Sequence, residues 1–451
     1  MPATIAENLA DYAAELSYDD LDERTIEDAK DRLVDSIATA YAGLDEQPVQ
    51  AVREYAQRSS AERTATVIGG GEGSLERATL ANGSAIRYLD WNDTYLSLEP
   101  GHPSDNFGAL LTVADAYESS GEELLTATAL AYEVQTRLCD AASLRKNGWD
   151  HVNYGLASAS LGAGKLMGLS TDELADAVRL AINGHAAMRQ ARTGELTEWK
   201  GMAFGNADRN AVVAAELAKA GINGPKPIFE GEFGVFNQLT GEFELDVEEF
   251  GGRGGDFKLP RTYIKRYPVE YHAQAAVNCA LDMLEEQDLE WTDIEKIENE
   301  TYEAAVSIIA DEEKWDPQTR ETADHSMPYC IARAFIDGEM TIEQFDLEKV
   351  KADDVRELMD VMEVVERDEY TEAYGESFPH RMVVHTTEKA YECEMTYPRG
   401  HPDNPLTEEQ LAGKFADGTR EHLSEAERDA ALDALLSVDE MDDVSELLPI
   451  V

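Results

Sequence analysis

Residues 151–170 read HVNYGLASASLGAGKLMGLS. Ala, Gly and Ser dominate the stretch. On a helix such side chains let neighbouring helix axes approach closely, because the separation of packed helices is set by the residues at the contact. A helix of this composition belongs in the middle of a helical domain. The next segment, STDELADAVRLAING (170–184), opens with Ser/Thr-x-x-Glu and stops at Asn-Gly, the punctuation of a single helix. Working outward, AENLADYAAELSY, RTIEDAKDRLVDSIATAYAGL and EELLTATALAYEVQTRLCDAAS place apolar residues at helical spacing. NADRNAVVAAELAKAGINGP adds a further helix, ending in Gly, Asn and Pro.

The character changes near residue 240. LTGEFELDVEEFGGRGGDFKLPRTYIKRYPVE is rich in Gly and aromatics, with short β-like runs, and reads as a connector. HAQAAVNCALDMLEEQ is helical again, and IEKIENETYEAAVSII begins as a strand. RMVVHTTEKAYECEMTYP alternates apolar and polar residues, the period-two pattern of a hairpin. The predicted fold class is mainly α: a large all-helical domain over 1–265 and a smaller α+β domain over 266–399. Helices over 400–451 are expected to return to the first domain. A length of 451 residues fits two or three domains. No repeat or low-complexity segment interrupts the chain.

Composition narrows the function. Hydrophobic residues make up 43% of the chain, enough for a sizeable core. Asp and Glu number 92 against 38 Lys and Arg, giving a net charge of -54, and the acidic residues are spread along the whole sequence. A folded protein with a carboxylate coat follows. In dilute buffer such a coat repels itself, whereas at about 1 M salt the Debye length is roughly 3 Å and the repulsion is screened. The expectation is a cytoplasmic protein of a salt-loving organism. Nucleic acid and anionic membranes are excluded as partners, since both require clustered basic residues. No apolar run reaches the length of a membrane span, and the acidic N-terminus lacks a signal-peptide pattern. Cys139, Cys279, Cys330 and Cys393 are far apart, without metal-ligand spacing, and read as buried free thiols.

GxGxxG, Walker, HExxH and GxSxG motifs are absent. GGGEG (69–73) is a Gly-rich turn with no Lys-Ser/Thr after it, so it is not a phosphate loop. The chemistry must come from scattered residues in unusual settings. YLDWNDTYLSLEPGHPSDN (88–106) packs Asp90, Asn92, Asp93, Thr94, His102, Ser104 and Asp105 into a segment broken by Pro and Gly. Ser104, Asp105 and Asn106 are good helix caps, which is their structural reading. His102, between Gly and Pro, suits proton transfer near neutral pH. His151 opens the small-residue helix. Lys200 follows Trp199 in a chain with only 14 Lys, and can meet a carboxylate as a point charge. Lys265, Arg266 and His272 form a local positive patch in YIKRYPVEYHAQ. His325 and Tyr329, four apart, would share a helix face, with core packing as the structural alternative for Tyr329. Pooled, these cations, imidazoles and carboxylates suit a small polyanionic substrate such as a di- or tricarboxylate, because a protein of -54 must supply concentrated positive charge wherever an anion binds.

DWNDTYLSLEPGHPSDN, EWKGMAFGNADRNAVVAAELAKAGINGP, FEGEFGVF, IKRYPVEYHAQAAV and DHSMPYCIARA together resemble the MmgE/PrpD family, in order and over nearly the whole chain. The resemblance implies an all-helical domain with a smaller α+β lid, a homodimer, and chemistry without a metal or other cofactor. Its two main activities are 2-methylcitrate dehydration and cis-aconitate decarboxylation. Thr94 and His102 stand eight apart, as in the dehydratases. By the same resemblance the site falls on Asp90, Thr94, His102, His151, Lys200, Lys265, His272 and Tyr329. Dehydration breaks a C–H bond beside a carboxylate and expels hydroxide. Lys200, Lys265 and His272 are expected to neutralise the developing charge, together with Thr94 in substrate binding. His102 or Asp90 is the expected base, and His151 or Tyr329 the expected acid. A decarboxylase or isomerase of a related tricarboxylate is the alternative enzyme, and a non-catalytic binding protein on this scaffold the alternative class.

Overall fold

The computed structural model describes residues 3–58, 61, 63–193, 197–287 and 289–448. Glu195 and Leu196, at the start of the Lys200 motif, lie outside them. The chain divides into two compact units, Met1–Thr262 with Leu411–Val451, and Tyr263–Gln410. Lys265, assigned to the helical domain by sequence, falls in the second unit.

The first unit is built of helices around Val152–Leu166, whose residues from Val152 to Gly164 are all buried. The small residues do what their size predicts. A Cβ on Gly155 would stand 2.3 Å from the Phe204 ring, and one on Gly162 2.5 Å from Leu110. Helices Leu75–Tyr88, Phe107–Tyr117 and Trp199–Lys219 meet backbone to backbone in the same way. A Cβ on Gly83 would come 2.7 Å from the Gly205 Cα, and one on Gly108 2.6 Å from the Gly83 Cα. Thr171–His185 carries the capping box of Ser170 and Glu173. GGGEG is the turn of a short hairpin, Thr64–Thr66 against Glu72–Ser74, with Gly69, Gly70 and Gly71 all at positive φ.

The β-like runs after residue 240 do not form strands. Val247–Glu249 and Leu259–Arg261 are single 3₁₀ turns, and only an isolated bridge joins Gly251 to Gly255. Phe250 and Phe257 are buried instead, and Phe250 packs edge-on to Tyr12 at 5.1 Å. Aromatic anchors without a pairing partner pin a loop to the helical core. The C-terminal part of the chain adds Lys414, fully buried, which pairs with Asp35 of helix Glu23–Ala42.

The second unit holds a four-stranded sheet. Met362–Glu366 runs parallel to Ile294–Thr301, followed by His380–Thr386 and Ala390–Met395 in antiparallel order. The last two are the hairpin read from period-two alternation. Helices Gln274–Glu286 and Met327–Asp337 belong to this unit. Two sequence expectations fail here. Cys279 and Cys393 form a disulfide, while Cys139 and Cys330 are free and buried. The paired cysteines are 114 residues apart, one on a helix and one on a strand, so only the fold brings their Cα atoms to 5.6 Å. His325 and Tyr329 do not share a helix face, because the helix starts at Met327 with Ser326 as its N-cap and Pro328 in the first turn.

Candidate active site

In the first unit the helix Leu75–Tyr88 ends just before Asp90, which has φ 56. A non-glycine residue in the left-handed region carries strain of about 1–3 kcal/mol, and such strain persists where surrounding contacts hold it. Asp90 is held from two sides. Arg87, one turn back on the helix, places Nη1 2.7 Å from Oδ1, and Lys200 places Nζ 3.3 Å from Oδ2. His102 Nε2 stands 3.9 Å from Oδ1. The imidazole and the ammonium therefore meet at one carboxylate. The side chains of Asp90, His102, His151 and Lys200 are 15%, 14%, 12% and 20% exposed, a partly buried cluster that still reaches the surface.

The loop 91–106 is locked from within. Asn92 donates to Ser104 Oγ at 2.8 Å and to Asp105 Oδ1 at 2.7 Å. The Ser104 N–H donates to Asp93 Oδ1 at 3.0 Å. Asn106 donates to Gln135 Oε1 at 2.6 Å and accepts from the Ser158 hydroxyl at 2.8 Å. Ser104, Asp105 and Asn106 thus make no capping bonds, contrary to their cap-like spelling: Asn92 takes the side chains of Ser104 and Asp105, and Gln135, Ser158 and the Pro103 carbonyl take that of Asn106. Thr94 is buried with its hydroxyl donating to the Gly101 carbonyl at 3.2 Å. That bond closes the base of the loop.

Both imidazoles are oriented through Nδ1. His102 Nδ1 lies 2.7 Å from the Asp93 carbonyl oxygen, an acceptor, so the proton sits on Nδ1. His151 Nδ1 lies 2.9 Å from Asp150 Oδ1. The two rings face each other edge to face, 5.7 Å between centroids. Burial lowers the His151 pKa, as do Arg192 and Arg87, against the opposing pull of Asp150, so the ring is neutral at neutral pH. Asp150 is itself buried, which opposes its charge, yet His151 and Arg192 hold it well below the usual carboxylate range. Asp105 is pushed up to about 7 by burial, against the Arg87 guanidinium 3.5 Å away and the Asn92 hydrogen bond.

Lys265, His272 and Tyr329 stand in the second unit. Lys265 is buried. His272 Nδ1 is 2.7 Å from the Tyr302 hydroxyl, and its backbone N–H donates to Glu270 at 2.7 Å. Tyr329 is fully buried, donates its hydroxyl to the Gln344 carbonyl and packs on Phe345, the core-packing reading of this residue. Among the described residues no group of three or more His, Cys, Asp or Glu is placed to hold a metal ion. Arg87, Asp150 and Arg192 were not singled out from sequence. Arg87 was legible as an i,i+3 partner of Asp90 at a helix end, and Asp150 as the neighbour of His151. Arg192 had no local signal.

Residues 7–248 match the MmgE/PrpD N-terminal domain and residues 267–438 the MmgE/PrpD C-terminal domain. The chain belongs to the MmgE/PrpD family. It is 29% identical over 383 residues to the mitochondrial 2-methylcitrate dehydratase of Yarrowia lipolytica, covering 76% of this chain and 71% of that protein. It is 30% identical over 403 residues to an alkylcitrate dehydratase of a fungal species, covering 82% and 77%. Against the 2-methylcitrate dehydratase of Escherichia coli K12 the identity is 30% over 283 residues, covering 58% of this chain and 57% of that protein.

Proposed function

We propose that this chain removes water from 2-methylcitrate to give 2-methyl-cis-aconitate, the dehydration step of the methylcitrate route of propionate breakdown. It is a hydro-lyase of the MmgE/PrpD family, and the relatives that carry named activities are dehydratases of alkyl-substituted citrates. The observation that carries the reading is the convergence of His102 and Lys200 on Asp90, with the His151 ring against His102. Elimination needs a base for the C–H proton, an acid for the leaving oxygen and cations for the charge that develops on the carboxylate. Neutral His151, protonated on Nδ1, offers the lone pair of Nε2 and serves as the base. His102 Nε2 faces the Asp90 carboxylate, which favours a proton there, so His102 serves as the acid. This reverses the roles expected from sequence for the two imidazoles. Lys200 takes a substrate carboxylate, and in the second unit Tyr329 keeps a packing role. The chemistry runs on these side chains without a metal, in a cytoplasmic homodimer whose acidic coat is suited to high salt. No helix among the described residues is long and apolar enough to cross a membrane.

The test is turnover by the pure protein in high salt on 2-methylcitrate, citrate and cis-aconitate, following the unsaturated product and carbon dioxide. Dehydration of 2-methylcitrate without carbon dioxide is expected. Carbon dioxide from cis-aconitate would instead identify a decarboxylase. His102→Ala should lower kcat by roughly 10²–10⁴-fold with folding intact. An unchanged rate removes His102 from the mechanism.

A further inference from the structure

We propose that Asp150, clamped by Arg192, is a positioning residue that fixes His151 as its Nδ1–H tautomer and so presents a bare Nε2 to the substrate. The proposal rests on the reading of His151 as a proton-transfer group.

The geometry is specific. Asp150 is 1% exposed, and its two oxygens have separate tasks. Oδ1 faces His151 Nδ1 at 2.9 Å, and Oδ2 accepts from Arg192 Nε at 3.0 Å. Arg192 also donates from Nη1 to the Lys200 carbonyl at 3.1 Å, so one guanidinium ties the carboxylate behind His151 to the first turn of the helix that carries Lys200. On the other side of the ring, His151 Nε2 is a buried atom with no hydrogen-bond partner in the protein. An ionised carboxylate only accepts, so the proton between Asp150 and His151 belongs to Nδ1. A neutral imidazole protonated there is a base at Nε2 and nowhere else.

The groups around the ring agree with a base that is neutral before the reaction and stabilised after it. Arg192 from the turn Arg189–Arg192, Arg87 from the helix Leu75–Tyr88 and His102 from the 91–106 loop face it, with the Phe204 ring packed alongside at 6.4 Å. Arg192 and Arg87 oppose a charge on His151, and among the described residues Asp150 is the carboxylate bonded to the ring. In the step, Nε2 takes the proton from carbon and the C–H electron pair becomes the new C=C bond. Hydroxide leaves with a proton from the acid, as water. The Nδ1 proton stays on the ring, and Asp150 stays ionised beside the imidazolium.

Asp150→Asn tests this, because Arg192 can only donate. The single carbonyl oxygen of the amide is claimed by Arg192, and the NH₂ group turns to His151 Nδ1. The ring must then carry its proton on Nε2, where it blocks the base. Histidine-selective ¹⁵N NMR should show the His151 proton on Nδ1 in the wild type and on Nε2 in the variant. In the variant kcat should fall by roughly 10²–10⁴-fold, with KM changed by less than about threefold. A purely structural role for Asp150 predicts a lower melting temperature with the tautomer unchanged. A wild-type His151 with its proton on Nε2 overturns the proposal even if no variant folds, and so does a folded variant whose kcat stays within about threefold. The tautomer is read without substrate. A wild type with the Nδ1–H tautomer that turns over none of the three acids would overturn the functional reading and leave the positioning of His151 intact.

Discussion

Lys414→Met gives the sharpest test of how the candidate site is supported. Lys414 and Asp35 are both fully buried and form an ion pair. The Lys414 ammonium also donates to the Trp91 carbonyl at 2.8 Å and lies 4.8 Å from the centre of the Trp91 ring. Trp91 follows Asp90, the residue in left-handed backbone that receives Lys200, Arg87 and His102. Replacing the lysine leaves a buried carboxylate without its cation, which costs about 3–5 kcal/mol. Unfolding entropy is about 2.1 cal/mol/K per residue, or roughly 0.6 kcal/mol/K for a unit of roughly 300 residues, so the melting temperature of the first unit should drop by about 5–8 °C. Calorimetry in high salt measures it. Asp35→Leu in the same chain removes the stranded charge, and the double variant should return to within about 1 kcal/mol of the wild type or exceed it. Its turnover should remain low, because the Trp91 carbonyl has still lost its anchor. A single variant that loses less than about 1 kcal/mol, or a double variant no more stable than the single, would refute the reasoning.

Three further outcomes follow from the charges. Melting temperature should rise steadily with KCl between about 0.1 and 1 M as the Debye length shrinks from roughly 10 to 3 Å; a flat or falling curve would remove the case for self-repulsion in a chain of net charge -54. Asp105, with its pKa pushed up to about 7 from an ordinary 3.8, keeps its proton in the folded state where the unfolded chain has lost it. Stability should therefore fall as pH rises through that window, by up to roughly 4 kcal/mol. The stability of Asp105→Asn relative to wild type should grow from pH 5 to pH 8, and a gap independent of pH would show that the carboxyl titrates normally. Lys200→Gln removes a charged contact worth about 1.5–3 kcal/mol to a substrate carboxylate, so KM for the tricarboxylate should rise roughly 10- to 100-fold in steady-state kinetics; an unchanged KM takes Lys200 out of the binding site.

The helical domain was legible because its signals are local. The small-residue helix, the Ser170 box and the 380–395 hairpin each depend on spacing within one segment. Residue type also pointed to Asp90, His102, His151 and Lys200, since breakers, imidazoles and a rare lysine stand out against an acidic chain. What did not show is pairing. Asn106 looked like a cap until Gln135 and Ser158, from two other helices, took its side chain. Phe250 lay in a segment legible only as a connector until Tyr12 gave it a place in the core. Arg192 and Asp150 are 42 residues apart, and no periodicity links them. Partners chosen by tertiary contact leave no trace in local spelling, and for this reason Asp150 and Arg192 were not singled out beside His151 and Lys200.

The same pairing resolves an apparent contradiction between a strongly negative protein and an anionic substrate. Arg87 and Lys200 converge on Asp90, and Arg192 on Asp150. Arg87, Lys200 and Arg192 set against ionised Asp90 and Asp150 leave an excess of one positive charge before any charge on His102 is counted, provided that Asp93 and Asp105 keep their protons, as burial favours. Burial makes this small excess effective, because a charge in a partly buried cluster is screened far less than the surface carboxylates are in concentrated salt. Salt therefore suppresses the long-range repulsion of the coat more than the short-range attraction of the site. The carboxylates inside the cluster do not merely cancel the cations. They hold each one at a fixed position, where an anion can meet it without first ordering a long flexible side chain. An acidic protein of this kind does not need a broad basic surface to bind a tricarboxylate; it needs a few cations that cannot move and buried acids that stay protonated.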